Sequence, residues 1–241
     1  MVTCVEFAGH KAPLISVIWC TKTNRIISTS VDDSLIVWDA DSGGKLAELE
    51  GNFGTVCCSA DGDQIASCGN EEVDDGDDNY SIFVRDISSG GQIAKLNGHT
   101  DEVTCLAWCP TANCIASASK DSTAIIWNAV TGDKVAQHHG FANFLMSVAW
   151  SPNEFLLLFG CEDGSLIVWN AAGEKKPFLL DVEDGHSDCV RSVAWAPDGR
   201  RFASGSIDKM VIVWDATAGR SGATCVVLCV NCVCMWEGWV E

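Results

Sequence analysis

Four pairs of tryptophans constrain the fold of this chain more than any other feature of its sequence. The two members of each pair lie nineteen residues apart, and the pairs use eight of the ten tryptophans in the chain. They are Trp19 with Trp38, Trp108 with Trp127, Trp150 with Trp169, and Trp195 with Trp214. Such regularity is typical of a stack of similar structural units, since a single irregular core has no need of it.

Alignment on the second tryptophan of each pair divides the chain into five units. Their ends are spaced by 47, 42, 42 and 45 residues and lie at Trp38, Arg85, Trp127, Trp169 and Trp214. Arg85 therefore stands where the other units have tryptophan. The long first interval is explained by an insertion at residues 70–79.

The third unit shows the local pattern most clearly. Short apolar and β-branched runs are separated by turn residues such as Pro110 and Gly132, which predicts strands joined by tight turns. The predicted strands are Val103–Trp108, Cys114–Ser117, Thr123–Trp127 and Lys134–Gln137. No window has a convincing helical period, so we predict an all-β chain.

Two dipeptides recur at matched positions in the units. Gly-His appears at residues 9–10, 98–99 and 185–186, and Trp-Asp at 38–39 and 214–215, with Trp-Asn at 127–128 and 169–170. These units resemble WD repeats, the four-stranded antiparallel blades of a β-propeller. The resemblance covers about residues 2–218 and implies a domain of five blades over 1–218, followed by a non-repeat Cys- and Trp-rich tail at 219–241.

The resemblance also implies that this array is incomplete, because the family usually closes with seven blades. Three explanations stay open: a fragment or truncated product, which we favour, a smaller or irregular ring, and completion by a partner chain. In the family an N-terminal segment usually supplies the outer strand of the last blade, and Val2–Phe7 is the candidate here.

Three units carry His, Ser, Asp and Trp at equal spacing. The sets are His10, Ser28, Asp32 and Trp38; His99, Ser117, Asp121 and Trp127; and His186, Ser204, Asp208 and Trp214. Ser, His and Asp can form a catalytic triad, but catalysis needs one such set in a cleft and not three copies. The resemblance instead implies a structural chain in which Asp accepts from His, His bonds Ser, and Ser meets the indole N–H. We therefore predict no catalytic residue.

The second and fourth units depart from this pattern. Asn52 replaces His and Arg85 replaces Trp in the second, while Phe141 and Phe159 replace His and Ser in the fourth, which keeps Asp163 and Trp169. Because several members of the set are lost together, few polar groups are left unpaired. We expect these two blades to pack by apolar contact and to be less rigid.

The charge of the chain limits its partners. A formal net charge of −18 and a pI of about 4.4 oppose binding to nucleic acid and to anionic membranes and favour basic protein segments. We expect no cofactor, metal or small-molecule ligand. The insertion at 70–79 has six carboxylates, for which we consider a docking patch for a basic segment, a weak calcium loop and, preferred, a solvated hairpin tip. They are Glu71, Glu72, Asp74, Asp75, Asp77 and Asp78.

The resemblance places partner binding on the face that carries the His and Asp turns. The matching positions follow His by one and three residues or precede Asp. They are Lys11, Pro13 and Val31; Thr100, Glu102 and Lys120; Ala142, Phe144 and Glu162; and Ser187, Cys189 and Ile207. An exposed Phe144 would be an anchor for a partner, although we expect this ring to be buried.

The fourteen cysteines lie mostly in apolar, strand-like contexts. Residues 1–10 lack the pattern of a secretory signal, so we expect free thiols in a reducing compartment, the cytoplasm or alternatively the nucleus. Four cysteines in the tail suggest a metal site. On a single extended strand, however, two of their side chains would lie on each face. They are Cys225, Cys229, Cys232 and Cys234. The preferred alternatives are an apolar strand that caps the last blade and sequence that does not belong to the fold at all.

These observations predict a non-enzymatic scaffold that recruits partner proteins or peptides through a loop face. The alternative is a propeller-based enzyme or metal-binding protein, with its site in the central channel or the Cys-rich tail. The predicted innermost strands offer few titratable groups beyond Arg191, and the chain has no phosphate-binding loop, zinc-helix motif or serine elbow.

Overall fold

The computed structural model of the protein describes residues 5–20, 22–51, 53–69, 80–172, 178–179, 185–216 and 228–229. Over these residues it contains twenty β-strands and no helix. Every four consecutive strands form one antiparallel sheet, which gives five sheets in all. The predicted all-β class and the five four-stranded blades are thereby confirmed.

The strands follow one another along the chain without crossovers. The first sheet contains β1 (Leu14–Cys20), β2 (Arg25–Ser30), β3 (Ser34–Asp39) and β4 (Lys45–Glu50). The second contains β5 (Val56–Cys58), β6 (Gln64–Cys68), β7 (Ile82–Asp86) and β8 (Gln92–Leu96). The third contains β9 (Val103–Trp108), β10 (Cys114–Ser119), β11 (Ala124–Asn128) and β12 (Lys134–His138). The fourth contains β13 (Leu145–Trp150), β14 (Leu156–Cys161), β15 (Leu166–Asn170) and β16 (Phe178–Leu179). The fifth contains β17 (Val190–Trp195), β18 (Arg201–Ser206), β19 (Met210–Asp215) and β20 (Leu228–Cys229).

The position of a strand within its sheet explains its composition. The middle strands β3, β10, β11 and β15 are buried over almost their whole length, and their sequences are nearly continuous runs of apolar and small residues, as expected when both faces are covered. The outer strand β4 alternates exposed and half-buried residues and carries Lys45, Glu48 and Glu50. Charged side chains on an outer strand discourage pairing with another chain.

The chain divides into two compact units, Met1–Ala116 with Ile126–Val135 and Ser117–Ile125 with Ala136–Glu241. In the first unit, Leu35 and Val37 of the first sheet pack with Ile65 of the second sheet and with Phe53, which precedes β5. In the second unit, the fourth and fifth sheets share a core of their own. Its buried members are Leu158, Leu166, Val168, Val190, Val193, Phe202, Ile212 and Trp214.

The first strand of three sheets is irregular at the same place. The pairing register shifts between Leu14 and Ser16, between Leu145 and Ser147, and between Val190 and Ser192. A bulge at this point bends the strand. The residues just before the bulge pair with Ser30, Cys161 and Ser206, where β2, β14 and β18 end and the aspartate turns begin.

The two ends of the chain contribute differently to the sheets. Residues 5–7 of the expected N-terminal outer strand form no strand, and that prediction is wrong for the described part of the segment. The fourth strand of the fifth sheet is instead β20 in the tail, which pairs through Leu228 with Val211 and through Cys229 with Met210. Pairing along β19 satisfies backbone groups that would otherwise lie at an edge.

Candidate functional site

In the first sheet, His10, Ser28, Asp32 and Trp38 form one chain of hydrogen bonds. The indole Nε1–H of Trp38 donates to Ser28 Oγ at 2.8 Å, and Ser28 Oγ lies 2.7 Å from His10 Nε2. The other ring nitrogen, His10 Nδ1, lies 3.3 Å from both carboxylate oxygens of Asp32. These contacts are satisfied together when Nδ1 carries the proton and the Ser28 hydroxyl donates to Nε2.

The fifth sheet repeats this chain with shorter contacts. Trp214 Nε1–H donates to Ser204 Oγ at 2.8 Å, Ser204 Oγ lies 2.7 Å from His186 Nε2, and His186 Nδ1 lies 2.8 Å from Asp208 Oδ2. Because the serine is buried between the imidazole and the indole, its oxygen has no open side from which to attack a substrate. The arrangement supports the turn and not nucleophilic catalysis.

Both aspartates are held in the ionised form. The Ser34 hydroxyl and the Lys11 backbone N–H donate to Asp32 and lower the pKa of its carboxyl group. Burial raises the pKa of Asp208, but hydrogen bonds from His186 and the backbone outweigh it, so the net shift is downward. An ionised carboxylate is the better acceptor, which strengthens each network.

In the third sheet, the rings of His99 and Trp127 lie 6.1 Å apart, against 6.1 Å for His10 and Trp38 and 6.4 Å for His186 and Trp214. Ser117 is buried, and its hydroxyl donates to the carbonyl of Ile125 at 3.3 Å. Asp121 accepts from the backbone N–H and the hydroxyl of Thr123. The third set thus has the same ring spacing as the other two.

A left-handed residue follows the aspartate in four of the tight turns. The φ angles are 60° at Asp33, 60° at Ser122, 87° at Gly164 and 72° at Lys209. The aspartate stabilises each turn by accepting from the backbone N–H two residues further on, at 2.8–3.1 Å. This is the local Asx-turn bond, which makes the turn geometry independent of the partner sheet.

The fourth sheet replaces the hydrogen-bond chain by aromatic packing. Phe141 and Phe159 are buried with ring centroids 5.8 Å apart, and His138 lies 4.6 Å from Phe141 and 6.1 Å from Trp169. Asp163 is exposed and bonds Asn143 and Ser165. The expected apolar packing of this blade is confirmed.

In the second sheet a cation takes the place of the indole. The Arg85 guanidinium lies 5.4 Å from the centroid of the Phe53 ring and 5.2 Å from that of Phe83. Phe53 is buried, so apolar packing contributes here too, together with a cation–π interaction that sequence reasoning missed. The lower rigidity expected of these two blades stays a prediction. Asn52 lies outside the described residues.

The same backbone hydrogen bond forms the candidate binding face in three sheets. The N–H of the residue before the aspartate donates to the carbonyl of the third residue after the histidine position. The bonds run from Val31 to Pro13, from Glu162 to Phe144 and from Ile207 to Cys189, each at 3.0 Å. The structure therefore joins, within each blade, positions that the sequence separates by eighteen residues.

Most of the predicted face positions are exposed. Phe144 is 39% exposed, so the expectation that its ring is buried is wrong, and Val31 and Ile207 are 60% and 48% exposed. Cys189 is buried and Lys120 is half-buried. The remaining described candidates are exposed: Lys11, Pro13, Thr100, Glu102, Ala142, Glu162 and Ser187.

Several predicted groups lie outside the described residues. They are the carboxylates Glu71, Glu72, Asp74, Asp75, Asp77 and Asp78, and the tail cysteines Cys225, Cys232 and Cys234, while only the backbone of Cys229 is described. Within the described residues, no group of three or more His, Cys, Asp or Glu side chains is placed to hold a metal ion.

One pair of cysteines corrects the expectation of free thiols. Cys20 at the end of β1 and Cys58 at the end of β5 form a disulfide with a Cα–Cα distance of 6.5 Å. Cys58 pairs with Ile65 as Trp19 pairs with Ile26, so it occupies the first-tryptophan position of the second unit. The insertion at 70–79 breaks the nineteen-residue spacing in this unit and hides that equivalence in the sequence.

Comparison with family models gives four matches. The family described as WD domain, G-beta repeat matches residues 2–39, 90–128, 132–170 and 178–215, more than half of the chain. The chain belongs to the WD40 family. The four ranges include the WD40 repeat whose histidine and serine are replaced by phenylalanines. They leave out most of the second repeat, which ends at Arg85.

Among curated proteins, a segment of 71 residues, 30% of the chain, is 31% identical to part of mitochondrial division protein 1 from Mycosarcoma maydis. The chain spans 9% of the length of that protein. The described residues contain no helix of sufficient length and apolarity to cross a membrane.

The WD40 turn between the third and fourth strands shows why asparagine can replace the closing aspartate. Asp39, Asp86 and Asn128 each accept a backbone N–H three residues further on, at 2.7–3.0 Å. Each turn then has a glycine with φ of 69–78°, at Gly43, Gly90 and Gly132. Either side chain supplies the accepting oxygen. The recurring pattern of Asp or Asn, Ser or Thr, and Gly was the signal in the sequence that could have identified this capping role.

Proposed function

We propose that this WD40 protein is a non-enzymatic scaffold that binds partner proteins or peptides through the turns that carry its histidines and aspartates. The observation that carries the proposal is the repeated 3.0 Å backbone bond beneath Val31, Phe144 and Ile207. In each blade it fixes one exposed apolar side chain above a turn that the aspartate also braces. A backbone held in this way loses little conformational entropy when a partner binds.

The clearest contact surface lies in the second compact unit, which contains the fourth and fifth sheets. The turn at 162–164 touches the segment at 186–188, since a Cβ placed on Gly164 would lie 2.5 Å from the His186 carbonyl oxygen. Phe144 and Ile207 are tied to these two adjacent segments by their backbone bonds. Large aromatic side chains are enriched in protein-binding hot spots, so Phe144 is the candidate anchor and Ile207 adds apolar area on the adjacent segment.

Charge indicates what kind of partner fits this surface. Glu162 and Asp188 are exposed beside the two apolar anchors, and the chain as a whole carries a net charge of −18. We propose a partner segment with an apolar side chain flanked by Lys or Arg, which the acidic surroundings would attract at long range. The match to the mitochondrial division protein covers so little of that protein that the proposal takes no role from it.

Selection of peptides from a random display library against the intact protein tests the proposal. We expect enriched peptides to combine apolar and basic residues. We expect Phe144→Glu and Ile207→Asp each to weaken their binding at least about tenfold, the equivalent of 1.4 kcal/mol. Leu46→Asp, at an exposed apolar position on the outer strand β4, is the matched control and should leave binding unchanged. Equal affinity for all four proteins would refute this face as the binding site.

A further inference from the structure

Two free cysteines face each other across the turn between β9 and β10. The backbone N–H of Cys109, the residue after β9, donates to the carbonyl of Cys114, the first residue of β10, at 2.8 Å. Both residues are buried and both are free thiols. The same backbone bond closes the matching turn in three other sheets at 2.8–2.9 Å, where it joins Ser59 to Gln64, Ser151 to Leu156 and Ala196 to Arg201. Of these four turns, the one in the third sheet has cysteine at both positions.

The spacing of the two cysteine backbones suits a disulfide bond. In the first sheet the matching residues, Cys20 and Arg25, are direct partners in the strand pairing. Directly opposed residues of antiparallel strands have Cα atoms about 4.5–5.5 Å apart, and disulfides span about 4.4–6.8 Å. A bond between Cys109 and Cys114 can therefore form with little movement of either strand. A cysteine at this turn position is already oxidised in the first sheet, where Cys20 is bonded to Cys58.

Hydrogen bonds converge on the sulfur of Cys109. It is bonded by the Cys114 thiol, by the Thr111 hydroxyl at 3.6 Å, and by the backbone N–H groups of Thr111 and Ala112. Together these bonds lower the pKa of Cys109 and outweigh the opposing effect of burial. The bond to Cys109 raises the pKa of Cys114, and burial and the adjacent negative charge act in the same direction. The pair therefore consists of a thiolate, which is the nucleophilic form, beside a protonated thiol.

The turn that separates the two cysteines lies at the surface. All four of its residues, 110–113, are exposed. Opening of a short exposed turn costs less free energy than opening of the core. A small neutral oxidant such as hydrogen peroxide therefore needs only a local movement of this turn to reach Cys109.

We propose that Cys109 and Cys114 form a thiol pair that reacts with peroxides. The Cys109 sulfur attacks one oxygen of hydrogen peroxide, the O–O bond breaks, and hydroxide leaves and takes a proton from solvent, so that Cys109 becomes a sulfenic acid. The Cys114 sulfur then attacks the Cys109 sulfur, an S–S bond forms, and the sulfenic hydroxyl leaves with the thiol proton as water. Two cysteines are thereby oxidised to one disulfide, and one peroxide is reduced to two waters. The site lies at the opposite end of β10 from Lys120, so this inference does not depend on the proposed binding face.

Peptide mapping of the full chain by mass spectrometry tests the proposal. The protein is treated with hydrogen peroxide, its remaining thiols are alkylated, and the peptides are analysed. We expect Cys109 and Cys114 to lose their alkylation together, as a disulfide, at least about tenfold faster than Cys161 loses its own. Cys161 is the matched internal control, because it is also a buried free cysteine. Its partner across the ladder is Leu145, and burial raises the pKa of its thiol to about 11.

Two serine variants distinguish the two sulfurs. In Cys114→Ser the sulfenic acid has no thiol opposite it, so dimedone should label Cys109 after peroxide treatment. In Cys109→Ser, Cys114 should be oxidised no faster than Cys161. Serine occupies the position of Cys109 in the second and fourth sheets, at Ser59 and Ser151, so this variant should keep the circular dichroism spectrum of the wild type. Oxidation of Cys109 no faster than that of Cys161, a wild type that forms sulfinic acid and no disulfide, or absence of the dimedone label in Cys114→Ser would each overturn the proposal.

Discussion

Replacing Ser204 by alanine should reveal what the buried His–Ser–Asp sets do. Its hydroxyl accepts the indole N–H of Trp214 at 2.8 Å and lies 2.7 Å from His186 Nε2. Neither ring nitrogen can turn to water, since Trp214 is 3% exposed and the His186 side chain 0%. Each orphaned buried polar group costs about 1–3 kcal/mol, so we expect Ser204→Ala to lower the free energy of unfolding by about 3 kcal/mol.

Thermal and urea unfolding monitored by circular dichroism measures this loss. For a chain of this size, 3 kcal/mol corresponds to a decrease in Tm of about 6–12 °C. Ser192→Ala on β17 of the same sheet is the matched control, because Ser192 is exposed, and its effect should stay within about 0.5 kcal/mol. In the Ser204→Ala background, Trp214→Phe should cost about 1 kcal/mol less than in the wild type, since the indole N–H has already lost its partner.

Equal stability of the Ser204→Ala and Ser192→Ala proteins would refute the structural role. A catalytic serine would behave in the opposite way, because its removal abolishes turnover and leaves the fold intact. The stability assay therefore separates the two roles without knowledge of any substrate.

Three further outcomes are expected. The pKa of Asp208 is lower in the folded chain than in the unfolded chain. Its contribution to the free energy of unfolding is therefore complete above the unfolded pKa of about 3.9 and is lost as pH falls through the folded pKa. On acidification, the urea midpoint should fall more steeply in the wild type than in Asp208→Asn. Gly164→Ala should destabilise the protein by about 1–3 kcal/mol, because Gly164 has a left-handed φ and lies close to a backbone carbonyl. Lys209→Gly, at the matching turn position, should stabilise the protein by up to about 1 kcal/mol, because Lys209 also has a left-handed φ. Urea unfolding measures both changes. Reduction of the Cys20–Cys58 disulfide, or Cys58→Ser, should lower stability by about 2–4 kcal/mol, since the bond joins residues 38 apart in sequence; a Tm unaffected by reductant would contradict this.

Local sequence patterns were sufficient for the strands and turns within the repeats. The third unit shows this well, because β9 spans the predicted Val103–Trp108 and β10 begins at the predicted Cys114. Alternation of side chains and the preferences of turn residues act over only a few positions. They can therefore be recognised in one sequence without knowledge of what lies across the core.

Contacts between residues far apart in the sequence could not be predicted from these local patterns. Nothing in the spacing of Cys20 and Cys58 predicts a bond, and Ser34, which contacts both His10 and Asp32, was absent from the expected network. The exposure of Phe144 was also misjudged, since burial depends on the segments folded around a residue. The compartment stays a prediction.

By itself, then, the sequence determined a repeated β-module with an Asp-braced turn, because indole spacing, turn chemistry and strand alternation are properties of neighbouring residues. Only the tertiary structure decided which apolar side chains are covered. Leu14 and Val190 occupy matching positions in similar strands, yet one is exposed and the other is not. Burial is set by the sheet that packs against a residue, and no local pattern records whether that sheet is present.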